Sequence, residues 1–253
     1  MSRVVITGAS SGLGAALAGC YAARDATLAL IARHRERLHA VAKAFPRAVP
    51  YCADVRDGAA MSAVARDFID RFGPPDVVIA NAGVSTGTLT EHPEDVERFQ
   101  TVLDINVMGL VKTFHPFLAA MREAGRGTLA GIASVAGVRG LPGAGAYSAS
   151  KAAAIAYLES LRVELRGTGI RVVTVCPGYI ATPMTARNPY RMPFLLSADE
   201  AARRIVRAID AGRRVATIPW QMAIVARILA VLPPALYDAL LARAPRKPRG
   251  NLG

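Results

Sequence analysis

The sequence predicts an α/β fold, a doubly wound and mostly parallel sheet with helices on both faces. Two observations carry that expectation. Apolar runs of strand length alternate with helix-length segments along all 253 residues. Most of these runs are unbroken rather than alternating in polarity, as strands buried on both faces require. In addition, a glycine-rich turn, Gly8-Ala9-Ser10-Ser11-Gly12-Leu13-Gly14, separates the first run from the first helical segment. That is where an open sheet of this kind leaves a ligand crevice, at the carboxyl ends of its strands.

In chain order, strands are expected at 4–7, 27–32, 49–52, 77–80, 128–132, 172–176 and, briefly, 215–218. Helices are expected at 13–23, 35–44, 59–71, 107–124, 146–166 and 198–211. No repeat or linker interrupts the series, so a single domain over 1–253 is expected, a length that one α/β core can fill.

Composition narrows the function classes. Hydrophobic residues make up 52% of the chain, which excludes a disordered polymer. The net charge is +12, yet 27 of the 31 basic residues are arginines spread along the whole length. A nucleic-acid footprint would be clustered and interleaved with aromatics, so no nucleic-acid partner is expected. The one basic cluster, Arg243, Arg246, Lys247 and Arg249, stands among prolines and glycine near the end; it reads as a solvated, frayed terminus. Cys20, Cys52 and Cys176 are far apart and odd in number, and read as reduced core thiols. The four histidines show no zinc spacing, and no metal is expected. The first strand-like run begins close to Met1, so no leader peptide is expected and a cytoplasmic setting follows.

The chemistry-bearing residues come next. Glycines in the 8–14 turn let the backbone approach a pyrophosphate seated on a helix N-terminus. Tyr147 and Lys151 stand four apart in Tyr-Ser-Ala-Ser-Lys, one turn apart on the same helix face. An ammonium there favours the phenolate of a group whose ordinary pKa is about 10, making it a usable acid/base for a hydroxyl proton. The second strand ends Ala32-Arg33-His34, with arginine where an NAD binder carries an acid. Arginine accommodates a 2′-phosphate, so NADP(H) is the expected cofactor, with Ser10 and Ser11 as small donors nearby. Gly8 to Gly12 and Gly83 to Gly87 also match the G-x-S-x-G pattern of serine hydrolases. That reading leaves Tyr147 and Lys151 unexplained, and every histidine precedes residue 116.

Taken together, Thr7-Gly8-x-x-x-Gly12-x-Gly14, Asn81-Ala82-Gly83, the Ser134/Tyr147/Lys151 set and Pro177-Gly178 run in order from residue 7 to about residue 182. The chain resembles the short-chain dehydrogenase/reductase family, of the compact single-domain kind. That resemblance implies a Rossmann-type seven-stranded sheet and a homodimer or homotetramer. It implies that Tyr147 is the general acid/base, that Lys151 holds the nicotinamide ribose and that Ser134 steadies the substrate oxygen. Asn106 matches the position that interrupts a helix and anchors a water for proton relay. On the cofactor side the resemblance adds Leu13 in the glycine-rich turn, Asp54 and Val55 at the adenine edge, Asn81, Ala82 and Gly83 beside the adenosine ribose, and Pro177, Gly178, Ile180 and Thr182 around the carboxamide.

The expected activity is NADP(H)-dependent interconversion of a carbonyl and a secondary alcohol. Residues 179–199 carry Met184, Met192, Phe194 and Leu195 and read as an apolar lid, which points to a small hydrophobic substrate. Residues 218–253 form a hydrophobic then basic extension similar to that of the 11-beta-hydroxysteroid-dehydrogenase-like branch. Three fates are open to it: packing on the pocket, a subunit surface, or peripheral membrane contact. A membrane-surface nucleotide-binding module with little turnover is the alternative function.

Overall fold

Residue parity along each strand decides the layering. Val4 and Ile6 face one side of the sheet while Val5 faces the other, and Leu28 and Leu30 are split from Ala29 and Ile31 in the same way. The inner strands therefore bury both faces, which is why their runs are apolar throughout. The structure, a computed structural model, describes residues 1–186 and 188–250. Residue 187 of the expected lid and residues 251–253 of the expected extension lie outside the described residues.

The strands are β1 (Arg3–Thr7), β2 (Thr27–Ala32), β3 (Ala48–Cys52), β4 (Val77–Ala80), β5 (Gly127–Ile132), β6 (Ile170–Pro177), β7 (Ile180–Ala181), β8 (Leu196–Ser197) and β9 (Val215–Ile218). The helices are α1 (Gly12–Ala22), α2 (Arg35–Lys43), α3 (Gly58–Phe72), α4 (Pro93–Leu103), α5 (Gly109–Glu123), α6 (Gly145–Glu164), α7 (Ala198–Asp210), α8 (Trp220–Val231) and α9 (Pro234–Leu241). Seven strands form one parallel sheet in the order β3-β2-β1-β4-β5-β6-β9. Phe68, Phe114, Phe117 and Leu158 pack α3, α5 and α6 on one face. Leu17, Tyr21, Leu38, Ile205 and Ile209 pack α1, α2 and α7 on the other. The strand order reverses between β1 and β4, and that switch point opens the crevice.

Several features differ from the expectations. Helix α4 was not foreseen, although Pro93 at its start and Glu94 and Asp95 in its first turn are helix-opening signals. It runs into a π-helical turn, Asp104–Met108, before α5. Cys52 is exposed rather than in the core, because it ends β3 at the sheet edge; Cys176 is buried and Cys20 half-buried.

The start of α1 is packed tightly against the strand ends. A Cβ at Gly14 would lie 2.2 Å from the Gly8 carbonyl oxygen and 2.7 Å from the Asn81 amide nitrogen. At Gly145, by contrast, nothing stands within 4 Å. Overpacking of this kind costs about 1–3 kcal/mol. We expect Gly14→Ala to lower the melting temperature by about 2–12 °C, and Gly145→Ala to leave it within a degree or two. Calorimetric scans of the two variants check this, and equal shifts would contradict the packing.

Candidate active site

The crevice over β1, β4, β5 and β6 has a cavity volume of about 560 Å³. One end is the glycine-rich turn. Gly8 has φ +67, and a Cβ there would lie 2.8 Å from Ala82 Cα. Thr7 ties the floor together: its Oγ1 accepts from Asn81 N at 3.1 Å and Ala82 N at 3.2 Å, while Asn81 Nδ2 donates to Thr7 O at 2.9 Å. Ser11 precedes α1 in extended backbone and makes no side-chain cap bond. The first-turn N–H groups of α1 thus face the crevice without an internal acceptor, an arrangement that suits an anion. Backbone approach, a bare helix start and an elongated cavity fit a dinucleotide.

At the adenine-side end, Arg33, His34 and Arg37 line the wall together with Asp54 and Val55. The Asp54 carboxylate is held by Arg56 at 2.8 Å, and Arg33 Nη1 stands 4.0 Å away. Burial alone would raise the Asp54 pKa, but hydrogen bonds from Arg56 and the charges of Arg56 and Arg33 bring it below its usual value. Arg33 is left loosely paired, with its side chain 39% exposed.

The other end collects Ser134, Tyr147 and Lys151 on one wall. Ser134 follows β5, and its Oγ accepts from Ala136 N at 3.1 Å. Tyr147 and Lys151 lie on α6, with the ammonium 5.8 Å from the ring centroid. Lys151 Nζ donates to Ile132 O at 2.7 Å. Its three donors leave two more for other acceptors. Pro177, Gly178, Ile180 and Thr182 close the crevice beside them, and the short β7–β8 ladder ties off both ends of the 182–195 segment.

One expectation about this wall needs correction, and Asn106 lies behind the wall rather than on it. The Tyr147 phenol is not driven toward neutrality. Burial pushes its pKa above the ordinary value, and the Ser134 hydroxyl opposes that push only in part. Lys151 is itself pushed down to about 8 by burial. Desolvation is the largest cause of both shifts, and the ammonium stands 5.8 Å from the ring centroid. Asn106 is not on the crevice wall. It is buried in the π-helical turn, its Oδ1 accepting from Val84 N at 2.8 Å and its Nδ2 donating to Val84 O at 3.0 Å and Ser150 Oγ at 2.9 Å. Its side chain clamps the segment after β4 behind Lys151. The extra residue of the π turn aims it there.

Residues 247–250 also line the crevice, contrary to a solvated terminus. Upstream of them, Arg139 donates to Leu229 O at 3.0 Å and Leu232 O at 2.9 Å and stacks 4.2 Å from the Tyr237 ring centroid. These contacts seat α8 and α9 beside the mouth. No helix among the described residues is long and apolar enough to cross a membrane.

Comparison with known proteins agrees with this architecture. Residues 2–192 match the family model described as short chain dehydrogenase. An uncharacterized oxidoreductase of Myxococcus xanthus is 40% identical over 94% of this chain and 96% of its own length. An 11-beta-hydroxysteroid dehydrogenase of Arabidopsis thaliana is 38% identical over 72% of this chain and 53% of its own length. Among solved structures, a short chain dehydrogenase of Burkholderia cenocepacia in complex with NADP superposes with TM-score 0.83 at 27% identity, covering 95% of this chain and 97% of that one. A short chain dehydrogenase/reductase of Burkholderia phymatum in complex with NAD gives TM-score 0.81 at 25% identity, covering 99% and 98%. With the family model spanning both the glycine-rich turn and the Ser134/Tyr147/Lys151 wall, the chain belongs to the short-chain dehydrogenase family of oxidoreductases.

Proposed function

We propose that this protein interconverts a carbonyl and a secondary alcohol using NADP(H), with Tyr147 as the proton donor and acceptor. The observation that carries the reading is that Ser134, Tyr147 and Lys151 share one crevice wall with the glycine-rich turn at the far end. A bound nicotinamide would supply or accept the hydride. Tyr147 holds the proton for the substrate oxygen, and burial keeps the phenol protonated, the form that reduction needs. Ser134, already oriented by Ala136 N, donates its hydroxyl hydrogen to the same oxygen. Lys151 holds the ribose hydroxyls with its two remaining donors and returns a proton to Tyr147. The backbone of the Asn106 turn anchors the relay water, since the Asn106 amide is occupied by Val84 and Ser150.

For the cofactor, the Burkholderia cenocepacia structure holds NADP and the Burkholderia phymatum structure holds NAD, so the preference for NADP(H) rests on Arg33, with Arg37 beside it and no acid at the end of β2. For the substrate, Met184 in the 179–199 lid and Ile180 supply apolar contact, and a small carbonyl compound with an apolar body fits. A homodimer or homotetramer is the proposed assembly.

Oxidation of NADPH and NADH across a panel of aliphatic, aromatic and steroidal ketones and aldehydes tests the reading. We expect turnover with NADPH at least tenfold more efficient than with NADH. Tight cofactor binding with no turnover on any carbonyl would instead favour a nucleotide-binding module.

A further inference from the structure

The end of the described chain returns across the crevice as a strap. Gly87 N donates to Pro248 O at 3.1 Å, and Thr86 Oγ1 donates to Gly250 O at 3.0 Å. The approach is close: a Cβ at Gly87 would lie 2.3 Å from Lys247 O, and one at Gly143 2.8 Å from Arg246 Cβ. Arg249 latches the strap to the first turn of α4, its Nε donating to Asp95 Oδ2 at 2.7 Å and its Nη2 to Glu94 Oε1 at 2.5 Å. Asp95 is buried and also accepts from Leu89 N at 2.9 Å and from Arg98. Both acids near the strap are thus committed to Arg249 and Arg98.

Lys247 stands two residues before that latch and is treated differently. It is half-buried, and its Nζ donates to the Ser85 hydroxyl at 2.7 Å and lies 5.8 Å from the Tyr147 ring centroid. Among the described residues no carboxylate lies within salt-bridge distance of it. Burial pushes its pKa down to about 8. A cation taken out of water beside a neutral hydroxyl is costly unless something anionic joins it. A strap needed only to cover the crevice would be more stable with an apolar side chain there. The ammonium faces the same cavity as Ser134 and Tyr147, so the missing anion belongs to what occupies the reacting end.

We propose that Lys247 is a specificity-determining residue and that the substrate is a carbonyl compound bearing an anionic group, a carboxylate in the simplest case. The anion pairs with Lys247 while the carbonyl oxygen faces Ser134 and Tyr147. The assignment rests on the reading of Ser134 and Tyr147 as the reacting end. It makes the substrate an oxo acid with an apolar body, or the corresponding hydroxy acid, and it explains why the strap is latched by a separate arginine.

The test uses the full chain and a series of 2-, 3- and 4-oxo acids, each paired with its methyl ester. Binding to the enzyme saturated with NADP+ is measured by calorimetry, and NADPH oxidation is followed separately. A hydrogen bond to a charged group is worth about 1.5–3 kcal/mol, so at least one acid should bind tenfold or more tighter than its ester. In Lys247→Met and in Lys247→Gln that ratio should fall to within twofold, and Lys247→Arg should keep most of it. Equal binding of every acid and ester overturns the proposal, as does an acid preference that survives in Lys247→Met. A loss of NADP+ affinity in Lys247→Met with the acid/ester ratio unchanged overturns it too, since Lys247 then serves the cofactor. Acid preference in binding without turnover of any pair would sink the oxidoreductase reading alone and leave the anion subsite standing.

Discussion

Tyr147→Phe is expected to lower kcat for carbonyl reduction by about a thousand-fold, within the hundred- to ten-thousand-fold range of a lost general acid. The substitution removes one hydroxyl and keeps the ring, whose centroid lies 5.8 Å from both Lys151 Nζ and Lys247 Nζ, so NADPH affinity should change by less than a factor of two or three. The pH profile supplies a second signature. Lys151 sits at about 8, below its ordinary 10.5, because burial disfavours the ammonium. Its charge is present below that pH and is lost as pH rises through it. Wild-type reduction should therefore decline above about pH 8, and the residual rate of Tyr147→Phe should lack that decline. Steady-state rates and fluorescence titration of NADPH measure both. A variant retaining most of its activity would remove Tyr147 from the chemistry.

Arg33→Asp is expected to reverse the cofactor preference. Arg33 is exposed over 39% of its side chain and is 4.0 Å from its nearest acid, so its guanidinium is available to a phosphate at the end of β2. Losing a charge-assisted contact costs about 1.5–3 kcal/mol, a ten- to hundred-fold weaker Kd for NADPH. The introduced carboxylate can accept from ribose hydroxyls, so NADH should bind more tightly than in the wild type. His34 and Arg37 line the same end and set how complete the reversal is. Unchanged NADPH affinity in this variant would refute the phosphate role of Arg33.

The parallel sheet was readable because each strand carries its own signature. In β1 and β2 every residue but the first is buried, and the expected and observed ends agree within two residues. The Tyr147–Lys151 spacing was equally local, since four residues on a helix define a face whatever surrounds it. Helix α4 was harder. Its opening at Pro93 is clear, but the preceding 83–92 stretch is rich in Gly and Thr and masked it. The π turn that aims Asn106 at Val84 has no periodicity of its own; it sits where α4, packed against α6, runs into α5, packed against α3 and the sheet.

What the sequence determined alone is whatever depends on neighbours a few residues apart: the strands, the glycine-rich turn, the phenol–ammonium pair and the arginine ending β2. What only the tertiary structure decided depends on partners brought from far along the chain. Arg249 meets Glu94 across 155 residues, and Lys247 meets Ser85 across 162. A basic tail carries no mark of that docking, because the acids and hydroxyls receiving it lie on another element. Burial worked in the same way on Tyr147 and Lys151: desolvation, which no spacing encodes, set both their pKa values, and so decided that the phenol waits protonated.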